Sequence, residues 1–182
     1  GVVKVYLSTR SVDHTTLTAR VVDEDGYEVM TRTVKVSKIS PERAIEVPFE
    51  IPHPQLWSLE KRTMDCVEVT LGDVKNPLDR MVVYTGLRSV TINDDNRLCI
   101  NGIPVDVRGV SLPHDREGYG TAISRNHIAE DFVTMRDMGA NAVRSIVGPH
   151  DDYLYDLCDK EGMLVWVDMP LARYEYSFAD IC

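Results

Sequence analysis

The sequence predicts a chain of two fold types, an all-β antiparallel sandwich followed by parallel strand–helix units. The predicted boundaries are residues 1–87 for the sandwich, 88–103 for a connector with a hairpin, and 104–182 for the strand–helix part. In the first part, apolar and polar residues alternate, which is typical of strands with one buried face. In the last part, short continuous apolar runs alternate with segments of helical period, which is typical of parallel strands covered by helices.

Four short segments of the first part alternate apolar and polar residues between turn residues. They are Val3–Leu7, Leu17–Val21, Ile45–Ile51 and Val67–Leu71. Asp25-Gly26 is a hairpin signal, and Pro48 within the third segment indicates an edge strand, because proline cannot donate to a neighbouring strand. No long helix pattern occurs here, and exposed aromatic platforms for a sugar are few. A structural sandwich is therefore favoured over a carbohydrate-binding module.

The connector has the pattern of short strands separated by tight turns. Residues 88–93 form a predicted strand and residues 94–96 a turn, followed by a hairpin over Leu98–Val105. The turn of this hairpin is Asn101-Gly102, a pair that favours the two-residue type I′ turn because both residues tolerate a positive φ.

The last part contains three apolar runs and two segments of helical period. The runs are Val105–Val110, Asn141–Val147 and Met163–Met169, and the helical segments are Ser124–Met138 and Asp151–Glu161, followed by Gly139 and Gly162. A glycine at that place commonly ends a helix. Parallel order brings the carboxyl ends of the strands to one edge, where α/β barrels carry their chemistry. The candidate site residues are His114 and Asp115 after the first run, Arg144 on the second and Asp168 on the third.

Composition and charge argue against several classes of function. The net charge is -9, from 20 basic and 29 acidic residues, and there is no basic stripe, which argues against nucleic acid and anionic membranes as partners. No apolar run reaches the length of about 18 residues that a membrane span requires, and no secretory signal pattern begins the sequence. The four cysteines form no CxxC pair. Cys66 and Cys158 are interpreted as reduced core thiols in preference to disulfide partners, and no compartment is predicted.

Common catalytic and metal-binding motifs are absent from the sequence. GxSxG, HExxH, a P-loop and GxGxxG do not occur. The five histidines share no metal-ligand spacing, and most of them are predicted at the surface. No cofactor and no metal ligand is therefore assigned, and assembly into a homo-oligomer stays open.

Several motifs agree in order and spacing with one known family. They are Asn101–Val105, Arg108-Gly109-Val110, Met138–Arg144 and Tyr153–Gly162, with Leu56-Trp57-Ser58 and Thr85–Arg88 upstream. Through them the chain resembles glycoside hydrolase family 2, which includes β-galactosidases, β-glucuronidases and β-mannosidases. The resemblance implies an immunoglobulin-like β-sandwich at residues 1–87 and the first part of a catalytic (β/α)8 TIM barrel at residues 104–182. The hairpin would then plug the bottom of the barrel.

The resemblance also implies a chemistry. Family 2 enzymes hydrolyse O-glycosidic bonds with retention, and their two catalytic glutamates lie at the ends of the fourth and seventh barrel strands. This sequence stops after the third strand, so no catalytic residue is assigned. We expect the chain to be part of a longer β-glycosidase and to be inactive alone. A carbohydrate substrate, and in some members a divalent metal, are expected of the longer protein.

The resemblance assigns supporting roles at the strand ends. Arg144 matches an arginine that contacts the nucleophile glutamate, and a structural pairing with a neighbouring strand is its alternative. Asp115 matches an acid that binds sugar hydroxyls, and a solvated loop aspartate is the alternative. Asp168 matches an acid that lines the pocket and, in some members, binds a metal. The alternative is a buried aspartate that is only hydrogen-bonded. His114 joins these substrate-binding candidates through its place in the loop after the first run.

Two positions depart from the family pattern. Leu112-Pro113 and Val147-Gly148 stand where the family has Arg-His and His-Tyr. Neither proline nor valine has a side-chain donor for a sugar hydroxyl. A non-catalytic sugar-binding or scaffolding protein of the same fold is therefore the second hypothesis. We also expect the third strand, Leu164–Val167, to be an apolar edge that recruits another copy of the chain or is covered by the tail, Leu171–Cys182.

Overall fold

The computed structural model describes residues 1–7, 14–36, 44–146 and 148–169. The chain forms two compact units, and each is described by itself. The first contains Gly1–Trp57 and Thr63–Leu87, and the second contains Ser58–Arg62 and the chain from Arg88 onward. Compactness does not identify the fold family of either unit, so the predicted domain assignments stay predictions. The tail at 171–182 lies outside the described residues, and no described helix is long and apolar enough to cross a membrane.

The first unit is built from antiparallel strands. They are β1 (Val2–Val5), β2 (Thr15–Val22), β3 (Glu28–Val36), β4 (Ile45–Pro48), β5 (Asp65–Asp73) and β6 (Asn76–Thr85). Four of them form a sheet in the order β3-β2-β5-β6, and β1 pairs with β4. Each of the four predicted segments lies at least partly in a strand, and the described residues before 87 contain no helix, as predicted. The sequence patterns had not indicated β3 and β6.

The alternation of apolar and polar residues along the strands explains which side chains form the core of the first unit. Leu17 and Ala19 on β2 are fully buried, as is Val47 on β4, and they pack with Leu71 on β5. Burying one such side chain contributes about 1.5–3 kcal/mol. Pro48 ends β4, which pairs only with β1 among the described strands, as expected of an edge. Most residues of β6 are exposed, so this strand has no period-2 signal to find.

The second unit combines an antiparallel hairpin sheet with parallel strand–helix units. Its elements are β7 (Val90–Ile92), β8 (Leu98–Ile100), β9 (Ile103–Pro104), β10 (Gly109–Leu112), α1 (Arg125–Asp137), β11 (Ala142–Ser145), α2 (Asp152–Glu161) and β12 (Leu164–Val167). The sheet β7-β8-β9 is antiparallel, and β10-β11-β12 is parallel, as predicted. Asn101 and Gly102 have φ values of 53° and 78°, which confirms the type I′ turn.

Local chemistry sets the helix ends. Ser124 caps α1, and its side chain and that of His127 bond to each other's backbone N–H groups in a capping box. Asp151 caps α2 by accepting from the backbone N–H of Tyr153. Gly139 follows α1 and Gly162 ends α2, both with a positive φ, as the sequence predicted.

One predicted strand begins later than the sequence indicated. Val105–Arg108 is not part of the parallel sheet, and β10 starts at Gly109. The side chain of Asn141 explains the difference, because its Oδ1 accepts from the backbone N–H of Arg108 at 2.7 Å and its Nδ2 donates to the carbonyl of Asp106 at 2.8 Å. The side chain of Asn141 therefore supplies part of the hydrogen bonding that a strand partner would have given this segment.

The two faces of the parallel sheet differ in character. Val110, Val143 and Val165 stand side by side and pack with the helices, and Val143 is fully buried. Ser111, Arg144 and Trp166 form the next register level and therefore point to the opposite face. All three are exposed, so this face is where the unit presents polar and aromatic groups.

Candidate functional site

The candidate site lies at the carboxyl edge of the parallel sheet. Arg144 comes from β11, and Asp168 follows the last residue of β12. The backbone N–H of Asp168 donates to the carbonyl of Ser145 at 3.1 Å, which continues the parallel pairing past the strand end. This contact holds the Asp168 side chain on the same face as Arg144.

Arg144 and Asp168 form a bidentate ion pair. Nε of Arg144 lies 2.9 Å from Oδ1 of Asp168, and Nη2 lies 2.8 Å from Oδ2. Two parallel bonds fix the plane of the guanidinium as well as its charge. The hydrogen bond to Asp168, and then its charge, raise the pKa of Arg144 further above its already high value. Nη1 of Arg144 makes no hydrogen bond to another described residue and stays available to a further acceptor.

A second polar cluster is buried on the side of the sheet that packs against the helices. Ser145 is fully buried, and its hydroxyl is hydrogen-bonded both to the carbonyl of Gly148 and to Nδ1 of His150. The backbone N–H of His150 donates to the hydroxyl of Tyr155 at 2.7 Å. The ring of His114 meets that of His150 edge-on, with centroids 4.7 Å apart. These contacts tie the loops after β10 and β11 to α2.

The bonding pattern assigns the tautomer of His150. The Ser145 proton points to the Gly148 carbonyl, so Nδ1 of His150 carries the proton that it donates to the Ser145 hydroxyl. Nε2 is buried and has no partner among the described residues. Burial, and then the neighbouring His114, lower the pKa of His150, against the opposite effect of the carbonyls of Pro113, Gly148 and Leu112. The ring is therefore neutral near pH 7.

The structure brings together only some of the predicted site residues. Arg144 and Asp168 meet, whereas His114 is half-buried in the histidine cluster, with Nδ1 enclosed and unpartnered among the described residues. Asp115 is exposed, and no hydrogen bond or ion pair among the described residues joins it to the Arg144–Asp168 pair. A role for any of the four in substrate binding stays a prediction.

Most histidines were predicted at the surface, and His150 is the exception, since only 7% of it is exposed. Gly148 and Pro149 precede it and Asp151 and Asp152 follow it, so no apolar periodicity marked it as buried. Ser145 lies within the predicted run Asn141–Val147 and carried no further signal. Of the two positions that depart from the family pattern, Pro113 is exposed in the loop after β10, and residue 147 lies outside the described residues.

A metal at Asp168 does not fit the observed geometry. Both carboxylate oxygens of Asp168 accept from Arg144, so the positive guanidinium lies against them and repels a second cation. Within the described ranges, no group of three or more His, Cys, Asp or Glu side chains is placed to hold a metal.

Comparisons with known proteins agree with this architecture. Residues 90–177 match the family model "Glycosyl hydrolases family 2, TIM barrel domain". A β-glucuronidase of Bacteroides fragilis is 32% identical over 170 residues, which are 92% of this chain and 24% of that protein. A β-galactosidase of Bacteroides ovatus is 24% identical over 154 residues, which are 84% of this chain and 18% of that protein.

Solved structures share the fold. The crystal structure of a Bacteroides uniformis β-glucuronidase matches with a TM-score of 0.77 at 28% identity, over 93% of this chain and 21% of that one. The chain thus spans a quarter or less of the length of these relatives. The family model and the relatives together support a relationship of this chain to glycoside hydrolase family 2, with residues 90–177 similar to the TIM barrel domain of that family.

Proposed function

We propose that this chain is part of a retaining β-glycosidase of the glucuronidase or galactosidase type. In this proposal an immunoglobulin-like sandwich precedes the first three strands of a catalytic (β/α)8 barrel. The observation that carries the proposal is the bidentate Arg144–Asp168 pair at the carboxyl edge of three parallel strands. That edge is where α/β barrels place their chemistry.

The pair has a definite use in glycoside hydrolysis. A retaining enzyme needs a proton donor and a carboxylate nucleophile about 5–5.5 Å apart. Arg144 would use its remaining donors to hold the nucleophile ionised and oriented, and Asp168 fixes the plane in which those donors lie. Asp115 and His114 would bind sugar hydroxyls from the loop after β10. In this proposal both catalytic glutamates would come from later strands of the longer protein.

The first experiment separates the chain from the protein to which it belongs. The 182-residue chain should hydrolyse no p-nitrophenyl β-glucuronide, β-galactoside or β-mannoside above background, because neither catalytic carboxyl group is present. The longer protein should hydrolyse at least one of them. Turnover by the short chain that disappears on substitution of one of its own glutamates would overturn the proposal.

The second experiment tests the pair within the longer protein. Arg144→Lys keeps the charge but loses the bidentate geometry, and should lower kcat by about 10²-fold, as removal of an oriented donor commonly does. Asp168→Asn should lower kcat less, because Arg144 keeps its charge. The control is Arg97→Lys, since Arg97 pairs with Asp106 in the hairpin. An unchanged kcat for Arg144→Lys would show that the pairing is only structural.

A non-catalytic sugar-binding or scaffolding protein is the second candidate. Pro113 favours it, because it stands where the family has a sugar-binding histidine and has no side-chain donor. The same glycoside panel decides between the two candidates. A longer protein that binds these glycosides by calorimetry but turns over none of them would establish the second.

A further inference from the structure

A small cavity of about 90 Å³ lies within the first unit, whereas the proposed catalytic edge belongs to the second. Asp65, Asp23 and Gln55 are among the residues that line it. The volume exceeds what a single water molecule requires, so the cavity has room for a partly hydrated ion. Its acidic lining raises the question of what balances the charge.

Asp65 is the unusual member of the lining. It begins β5, only 3% of it is exposed, and its Oδ2 is enclosed with no hydrogen-bond partner among the described residues. Burial, and then the charges of Asp23 and Glu24, raise the pKa of Asp65. An enclosed carboxylate oxygen without a donor is costly and calls for a compensating positive group.

Asp23 is held in place at the same cavity. Its Oδ1 accepts from the backbone N–H groups of Asp25 at 3.1 Å and Tyr27 at 2.8 Å. These bonds anchor the carboxylate in the hairpin turn between β2 and β3. No lysine or arginine among the described residues forms an ion pair with Asp23 or Asp65. His53 also lines the cavity but is not ion-paired with either acid among the described residues. The two acids therefore line one cavity without a lysine or arginine to neutralise them.

We propose that this cavity binds a divalent cation of the size of calcium, with the carboxylates of Asp65 and Asp23 as its protein ligands and water completing its shell. Carboxylate oxygens and water are the ligands that Ca²⁺ prefers, and a flexible shell of six to eight oxygens suits it. Since no three acidic, histidine or cysteine side chains converge among the described residues, water must supply several ligands. Because few ligands come from the protein, we expect a Kd for calcium of about 10⁻⁴–10⁻³ M, the range of extracellular calcium modules.

The inference does not depend on glycosidase activity, because both ligands belong to the first unit. A bound ion would tie the β2–β3 turn to the start of β5. The ion would therefore stabilise this unit against unfolding, by a free energy that grows with the logarithm of the free calcium concentration once that exceeds the Kd.

The test uses the whole chain and monitors unfolding through a probe that lies in the first unit. The sequence has two tryptophans, so in a Trp166→Phe background the buried Trp57 reports this unit. Adding 5 mM CaCl2 (about five times the weaker limit of that affinity range) should raise the Tm by several degrees over that in EDTA. Calorimetry with CaCl2 should show one site per chain. MgCl2 at equal ionic strength should have a smaller effect, because Mg²⁺ demands stricter geometry.

Two ligand variants and one control variant test whether Asp65 and Asp23 bind the ion. Asp65→Asn should abolish the calcium-dependent shift, and Asp23→Asn should lower the affinity at least tenfold. Asp73→Asn is the matched control, since Asp73 is exposed at the other end of β5, and it should behave like the unchanged chain. Should Asp65→Asn not fold, Asp23→Asn alone decides.

The competing explanation is that a proton, rather than a metal ion, neutralises Asp65. In that case CaCl2 would produce no shift beyond that in Asp65→Asn, and calorimetry would show no heat of binding. Either result would overturn the proposal, as would a calcium shift that both ligand variants retain.

Discussion

At the residue scale, neighbouring positions of β11 serve two different environments. Arg144 points to the uncovered face of the sheet, where it is exposed to solvent and forms an ion pair with Asp168. Ser145 points to the helix side, where its hydroxyl is fully buried and bonded to His150. The alternation of a strand allows this change of surroundings within one residue. A charged group and a buried neutral network can therefore coexist at one strand end.

The neutral His150 makes stability dependent on pH. Its pKa is lowered in the folded state by burial and by His114, so the unfolded chain binds more protons as the pH falls below the ordinary histidine pKa of about 6.5. The stabilisation is present above that pH and is lost as the pH falls towards the folded value. Urea unfolding of the second unit between pH 5 and 8 should show this loss.

A histidine variant checks the source of that dependence. His150→Gln removes the titration and should flatten the decline in unfolding free energy below neutrality. His53→Gln is the control, because His53 is exposed, and it should keep the slope of the unchanged chain. A slope that persists in His150→Gln would assign the effect to other groups.

Gly162 tests backbone geometry and space together. Its φ is +75°, and a Cβ there would lie 2.4 Å from the carbonyl oxygen of Leu59. Gly162→Ala should lower the free energy of unfolding by about 2–4 kcal/mol, from the left-handed conformation and the clash combined. Gly139→Ala is the matched control, because Gly139 follows α1 with φ +79° and open space around it, so it should lose only about 1–2 kcal/mol. Equal losses in denaturant unfolding would show that the clash is relieved cheaply.

At the element scale, boundaries depend on contacts between distant parts of the chain. The ends of α1 and α2 followed from local residues, since caps and terminal glycines act within one turn. The start of β10 did not, because Asn141 lies 33 residues from Arg108, whose N–H its side chain binds. Apolar residues at Val105 and Val107 gave the same pattern as a strand, although the backbone there bonds to a side chain.

Asn141 is therefore expected to hold the approach to β10. Asn141→Ala removes both side-chain bonds to the 106–108 segment and should lower the free energy of unfolding by about 1–3 kcal/mol. Asn141→Asp keeps the acceptor for Arg108 but loses the donor to Asp106, and should lose less. Urea unfolding of both variants measures which of them loses more free energy of unfolding. If Ala and Asp were equally stable, the Arg108 bond would contribute nothing.

At the scale of the whole molecule, the parallel sheet has an exposed edge and face. Trp166 on β12 is 70% exposed, and Val167 and Met169 beside it are also exposed. Among the described strands, β12 pairs only with β11. Uncovered apolar edges commonly recruit other chains, so self-association of the 182-residue chain stays our prediction.

Light scattering after gel filtration tests this association. Trp166→Lys should shift the chain towards monomer, because a charge on this face opposes its burial against another copy. Met138→Lys is the control, since Met138 is 69% exposed at the end of α1 and does not belong to the sheet. Association that survives Trp166→Lys, or that Met138→Lys reduces equally, would place the contact elsewhere. A strictly monomeric unchanged chain would contradict the prediction outright.

The sequence by itself determined the order of strands and helices in the second unit, the type I′ hairpin at Asn101-Gly102 and the alternation of β2. Each of these depends on local conformational preference or on one buried face, which a short window of residues records. The motif resemblance likewise pointed to a family that the comparisons support. Arg144 and Asp168 were both selected as strand-end residues of the site.

Only the tertiary structure decided which of those residues meet. Arg144 and Asp168 lie 24 residues apart, and their bidentate pair depends on the parallel register of β11 and β12. The burial of His150, the enclosed oxygen of Asp65 and the exposed strand β6 likewise left no periodic trace. Their environments are made by residues distant in the chain, and composition and spacing record only neighbours.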